Sequence, residues 1–239
     1  MTKLVVAGST GFVATEVIRQ ALLHPAITSV VALGRRQVPP SLAAADTNSK
    51  LKSVVCTNFV NYPDDVKKEL SDADACIWTI AITPSKSKTY AWDEVCTICR
   101  DYAVTGIEAI SQISHSKPFR FLYISGSNAE RDQTKRPWLL ADYCLMRGEA
   151  ENRILAYAQK SNGAVEACVA KPGLIGGEGK ATGFLMEAMK PVIRVLAGLP
   201  TVDVREMAAA LLDQVVNGFE KEPLASDDLT RIGKKVLST

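Results

Sequence analysis

Six short apolar runs punctuate the chain: LVVAG (4–8), SVVALG (29–34), SVVC (53–56), ACIWTIAI (75–82), FRFLYIS (119–125) and EACVAKPG (166–173). Between most of them, apolar positions recur at helical spacing, over 12–24, 63–71, 89–114 and 143–161. Strands that are apolar on both faces and alternate with helices belong to a parallel sheet covered on each side. Right-handed crossovers then predict a doubly wound α/β sheet, the Rossmann fold. No repeat and no Gly/Ser/Pro linker divides the chain. Its 239 residues read as a single nucleotide-binding domain. The stretch 174–205 is irregular and glycine-rich, and it follows the last main strand. It is expected to cover a substrate. The last helix is expected at 206–219.

The charge balance is 28 basic against 26 acidic residues, a net +2. That excludes an electrostatic case for nucleic acid or a membrane surface. No apolar run reaches the roughly 18 residues of a membrane span. The chain enters its first strand without a basic leader, so a cytoplasmic protein is expected. Cys56, Cys76, Cys144 and Cys168 lie in apolar stretches, where a reduced thiol packs as a small hydrophobe. Cys96 and Cys99 form a C-x-x-C inside a predicted helix, where they share a face. Core packing is favoured there over a redox pair. With no second C-x-x-C and two histidines, zinc is not expected.

Candidate chemistry begins at KLVVAGSTGFVATEVIRQ (3–20). Gly8, Gly11 and Ala14 stand where strand passes into helix, in the spacing G-x-x-G-x-x-A. Gly8 permits a tight turn, Gly11 lets backbone approach a pyrophosphate, and Ala14 keeps the helix close to the sheet. With Ser9, Thr10, Phe12 and Val13, they place the phosphates of a dinucleotide at a helix N-terminus. The next strand ends in Gly34-Arg35-Arg36, where a cofactor with a free ribose 2′-hydroxyl meets an acidic residue. Guanidinium groups suit a 2′-phosphate, so NADP is favoured over NAD; the competing reading is two solvated loop charges. Ser125 and Ser127 close the fifth strand, at the sheet end that binds ligands. Tyr143 and Arg147 follow, i and i+4 on a predicted helix, with Glu151 four further on and within reach of Arg147.

Taken together, GSTGFVA (8–14), GRR (34–36), WTIAITPSK (78–86), ISGS (124–127), Y-x-x-x-R-G-E-x-E (143–151) and KPG (171–173) resemble the short-chain dehydrogenase/reductase superfamily. The likeness spans nearly the whole chain. It is greatest to atypical members related to the HIV Tat-interacting oxidoreductase-like proteins, and less to NmrA-type cofactor sensors. The resemblance implies that Tyr143 is the general acid/base and that Ser127, or in the other alignment Ser125, polarises a carbonyl. It implies that Thr79, Ile80, Ala81 and Ile82 line the cofactor and that Pro172 and Gly173 pass near the nicotinamide. Arg147 replaces the family's ribose-binding lysine, and Ala103 falls about where many relatives carry an asparagine. A cation about 4 Å from the phenol, at an effective dielectric near 20, would lower its pKa by roughly three units. Arg147 is therefore expected to supply the charge, with different hydrogen bonds to the ribose.

The reaction expected first is NADP-dependent oxidoreduction of a small-molecule carbonyl or alcohol. A non-redox isomerase, dehydratase or cyclase on the same scaffold, and an NADP-sensing binding protein, remain as alternatives. Specificity is expected in 84–93, 128–142 and 174–200, where Trp92 and Trp138 are candidate contacts for an apolar substrate, with packing an equal alternative. A homodimer through helices 89–114 and 143–161 is possible by analogy with relatives.

Overall fold

The computed structural model describes residues 2–177 and 199–238. Strands β1 (Thr2–Ala7), β2 (Ile27–Gly34), β3 (Leu51–Val55), β4 (Ala75–Trp78), β5 (Phe119–Ile124), β6 (Val165–Lys171) and β9 (Leu224–Ala225) form one sheet, in the order β3-β2-β1-β4-β5-β6-β9. Every neighbouring pair is parallel. This is the expected doubly wound sheet. The strand order reverses between β1 and β4, so a crevice opens at their carboxyl ends.

Both faces are buried because successive strand residues point to opposite sides. Leu4 and Val6 pack with helices α1 (Phe12–Leu23), α8 (Val204–Asn217) and α9 (Ser226–Leu237). Val5 and Ala7 join the other layer, with Trp78, Phe121 and Tyr123 against α6 (Tyr102–Gln112) and α7 (Ala141–Lys160). Short helices α2 (Pro40–Ala44), α3 (Asp64–Leu70) and α4 (Pro84–Ser87) complete the crossovers.

Three expectations need correction. The helix expected over 89–114 starts as α5 (Trp92–Cys96), passes through a π turn at Thr97–Asp101 and ends with α6. The helix expected to be last is followed by β9 and α9. Leu229, Ile232, Gly233 and Val236 give α9 its apolar stripe, and the Asp228 carboxylate accepts from Ala225 N at its start (3.0 Å). Those signals were legible, whereas a two-residue β9 has no periodicity to read. Within 174–205, β7 (Leu174–Gly176) and β8 (Thr201–Asp203) pair as a small parallel sheet, so the ends of that stretch are regular. Its central part, 178–198, lies outside the described residues.

Candidate functional site

The register Ala7↔Trp78 sets Gly8 beside Thr79. Gly8 has φ +91°, and a Cβ there would overlap Thr79 Oγ1. Only glycine takes that conformation without strain and leaves Thr79 room to donate to Ala7 O (2.8 Å). Gly11 caps α1 in an extended conformation. The first amide that the helix satisfies internally is that of Thr15, which donates to Gly11 O (2.9 Å). The turn thus presents the α1 N-terminus to the crevice, with Thr10 and Gly11 exposed and Phe12 and Val13 half-buried. Ile80 Cγ1 leans on Gly8, and Ala81 is exposed beside it.

Ser9 is fully buried, yet its Oγ has no hydrogen-bond partner among the described residues. A Cβ on Gly34 would stand 2.6 Å from that oxygen, so the hydroxyl lies directly against the end of β2. Arg35 and Arg36 follow, both exposed. An orphaned buried hydroxyl is costly, by about 1–3 kcal/mol. Here it adjoins the Gly8–Gly11 turn and two exposed arginines.

The end of β5 is tied to the end of β6. Ser125 N donates to Ala170 O (2.8 Å) and Ser127 N to Pro172 O (2.9 Å). Ser125 Oγ donates to Glu151 Oε1 (2.5 Å), whereas Ser127 lines an open cavity. Gly173 N donates to Ser226 Oγ (2.8 Å), and the backbone of Pro200 fills the place of a Gly173 side chain.

Glu151 is fully buried, and its partners are not the expected one. Instead of Arg147, it binds Arg131 Nε (2.6 Å) and Lys171 Nζ (3.1 Å). Arg131 also grips Glu222 through two nitrogens (2.5 and 3.0 Å). Two carboxylates thus face two cations, which is how a buried charge is tolerated. Gly148 makes the arrangement possible, because any side chain there would strike the backbone of Glu130. The loop after β5 therefore lies directly on α7.

Arg147 turns the other way. It is 3 % exposed and donates to Cys99 O in the π turn (3.3 Å) and to Ile124 O (2.6 Å). Its guanidinium lies 4.8 Å from the centre of the Tyr123 ring, and Tyr123 Oη also donates to Cys99 O (2.9 Å). The π turn thus exposes a carbonyl to side chains that a regular helix would keep for itself. Cys99 is buried and Cys96 half-buried, both as free thiols. Cys99 Sγ accepts from Ile82 N (3.1 Å), and Ala103 is fully buried in the core.

Tyr143 lies in the first turn of α7, and its hydroxyl donates to Ile82 O (2.7 Å). Burial pushes the phenol up to about 12, while the guanidinium of Arg147 pulls it down only in part. The expected net lowering is therefore corrected. The cation acts against the desolvation of a half-buried phenol, and desolvation outweighs it. Sequence reasoning missed Arg131, Lys171 and Glu222; the lysine of KPG at a strand end was the one available signal.

No family model matches the chain, and no curated protein does. Solved structures do. The chain is similar to DesIV, a dTDP-glucose 4,6-dehydratase from Streptomyces venezuelae with NAD bound, at TM-score 0.71 and 15% identity, covering 99% of this chain and 81% of that one. It is similar to MoeE5 in complex with UDP-glucuronic acid and NAD, at TM-score 0.69 and 15% identity, with 99% and 82% covered. Vestitone reductase from alfalfa gives TM-score 0.69 and 17% identity, with 94% and 76% covered. The likeness is one of fold, and it is the fold that the short-chain dehydrogenase/reductase resemblance implies.

Proposed function

We propose that this protein is an NADP-dependent oxidoreductase acting on a carbonyl or alcohol of a small organic molecule. The observation that carries the reading is the partnerless, buried Ser9 hydroxyl against Gly34, with Arg35 and Arg36 beside it and the Gly8–Gly11 turn alongside. These residues fit a dinucleotide: the turn and the α1 N-terminus for its pyrophosphate, Ser9 and the arginines for a 2′-phosphate. Thr79, Ile80, Ala81, Pro172 and Gly173 would continue the cradle along the carboxyl ends of β4 and β6. The NAD named with DesIV and MoeE5 supports a nicotinamide cofactor; Gly34-Arg35-Arg36 supports the phosphorylated form.

The cofactor, when bound, supplies or accepts hydride. Tyr143 supplies the proton to the carbonyl oxygen. Its raised pKa keeps it protonated at neutral pH, and Ile82 O holds the hydroxyl until a substrate oxygen replaces that acceptor. Ser127 polarises the carbonyl, since the Ser125 hydroxyl is committed to Glu151. Arg147 contributes charge from beneath the site.

The test is calorimetry. NADPH is expected to bind at least about tenfold more tightly than NADH, and Arg35→Ala with Arg36→Ala is expected to remove most of the difference. Equal affinities in the unmodified protein would sink the assignment. Gly11→Val is expected to abolish binding of both dinucleotides with the fold intact, because its Cβ would sit 3.2 Å from Gly8 O, tight but tolerable, while its methyl groups occupy the pyrophosphate's approach. Undiminished binding by folded Gly11→Val would mean that the turn serves the fold alone.

A second reading, a non-redox isomerase, dehydratase or cyclase, is favoured by the interior commitment of Arg147 to Cys99 O and Ile124 O. It predicts substrate conversion with no net oxidation of NADPH.

A further inference from the structure

A cavity of about 540 Å³ opens beside Ser127, lined among others by Glu130, Lys135, Arg136, Trp138 and Cys144. Its walls come from the loop between β5 and α7 and, at Cys144, from the first turn of α7. The near half of that loop is firmly held. Gln133 Nε2 donates to Glu130 O (3.2 Å) and Leu145 O (3.1 Å), Asn152 Nδ2 donates to Arg131 O (2.8 Å), and Arg131 is bound to Glu151 and Glu222. The far half presents side chains without such ties. Trp138 is 87 % exposed, and Arg136 is exposed with no hydrogen-bond or ion-pair partner among the described residues. Leu140, in the left-handed region at φ +53°, turns the chain into α7 directly after them.

The charges of the lining do not cancel. Glu130 is the one carboxylate among the lining residues. Its Oε1 accepts from Asp132 N (2.9 Å), and its other oxygen lies 3.8 Å from Lys135 Nζ. Lys135 is shared with Asp132 at 3.9 Å. Arg136 is left, among the described residues, as a cation with its planar fork unused, on the same cavity as the Trp138 indole and the hydroxyl that would hold the reacting carbonyl. A guanidinium fork matches a carboxylate or a phosphate, and an indole matches a flat apolar skeleton.

We infer that this cavity selects an anionic substrate: Arg136, assisted by Lys135, holds a carboxylate or phosphate at the end of a planar skeleton that lies against Trp138, while the reacting carbonyl reaches Ser127. The inference deepens the oxidoreductase reading, on which it rests for the place of the carbonyl.

Its test is a binding measurement, so that it does not depend on turnover. Calorimetry on the full chain with NADP+ present, which cannot reduce an aldehyde, compares 4-carboxybenzaldehyde with its methyl ester, and benzoate with phenyl phosphate; NADPH oxidation is followed in a separate assay. The acid is expected to bind at least about tenfold more tightly than the ester, with the gap narrowing as salt rises. Arg136→Gln should bring acid and ester within about twofold, and Trp138→Ala should weaken both alike. The tighter of benzoate and phenyl phosphate identifies which anion the site is built for. Equal affinity of acid and ester in the unmodified protein, or a preference that survives Arg136→Gln combined with Lys135→Gln, overturns the inference. A preference found without any NADPH oxidation upholds the anion site and counts against the oxidoreductase reading, so the two fail separately.

Discussion

Turnover by Tyr143→Phe is expected to fall by at least about a hundredfold, with NADPH affinity changed by less than about threefold. The substitution removes one oxygen from a side chain that otherwise keeps its place beside Ile82, Val95, Cys99 and Met146. Ile82 O loses its short bond and keeps only the long one from Cys99 Sγ (3.7 Å), which costs about 1 kcal/mol of stability and leaves the protein folded. The loss should therefore appear in kcat. The pH dependence follows from a phenol pushed up to about 12 by burial. In the reducing direction the proton donor is loaded throughout pH 6–9, so the rate should be flat with respect to this group. In the oxidising direction the phenolate is needed, and the rate should climb about tenfold per pH unit below that pKa. Steady-state assays over that range, on aldehydes, ketones and quinones and the matching alcohols, check both. Full activity in Tyr143→Phe would place the chemistry on other residues.

Arg147→Met is expected to destabilise the protein by about 3 kcal/mol, from buried carbonyls left short of a donor and the lost contact with the Tyr123 ring. For a chain of this size that is roughly 6–12 °C in Tm. Methionine fills much of the volume, so the deficit is one of polar satisfaction. Cys99 O retains Tyr123 Oη, which makes Ile124 O the more exposed loss. Arg147→Lys keeps the charge but replaces a planar fork spanning Cys99 O and Ile124 O with one ammonium, and should fall between the two. Denaturant midpoints measure this directly. Unchanged stability in Arg147→Met would mean that the guanidinium spends its time in the crevice, and not on the two carbonyls.

The sequence by itself determined the doubly wound sheet and the glycine turn that follows β1, because both are written in local terms. Apolar runs with helical stretches between them dictate parallel strands, and a glycine at φ +91° can be anticipated wherever a strand must turn at once into a helix. Tertiary structure decided the rest of the site. The i, i+4 spacing of Arg147 and Glu151 says that they share a side of α7, but not what lies opposite each. One side chain met a carbonyl exposed by the π turn; the other met Ser125 and Lys171 from two strand ends and Arg131 from the loop after β5. The direction of the Tyr143 shift likewise depends on how deeply the phenol is packed, and burial is a property of the assembled layers. A charge can be read from a residue's name, but its partner and its distance from water are settled only when chain segments far apart in sequence are brought together.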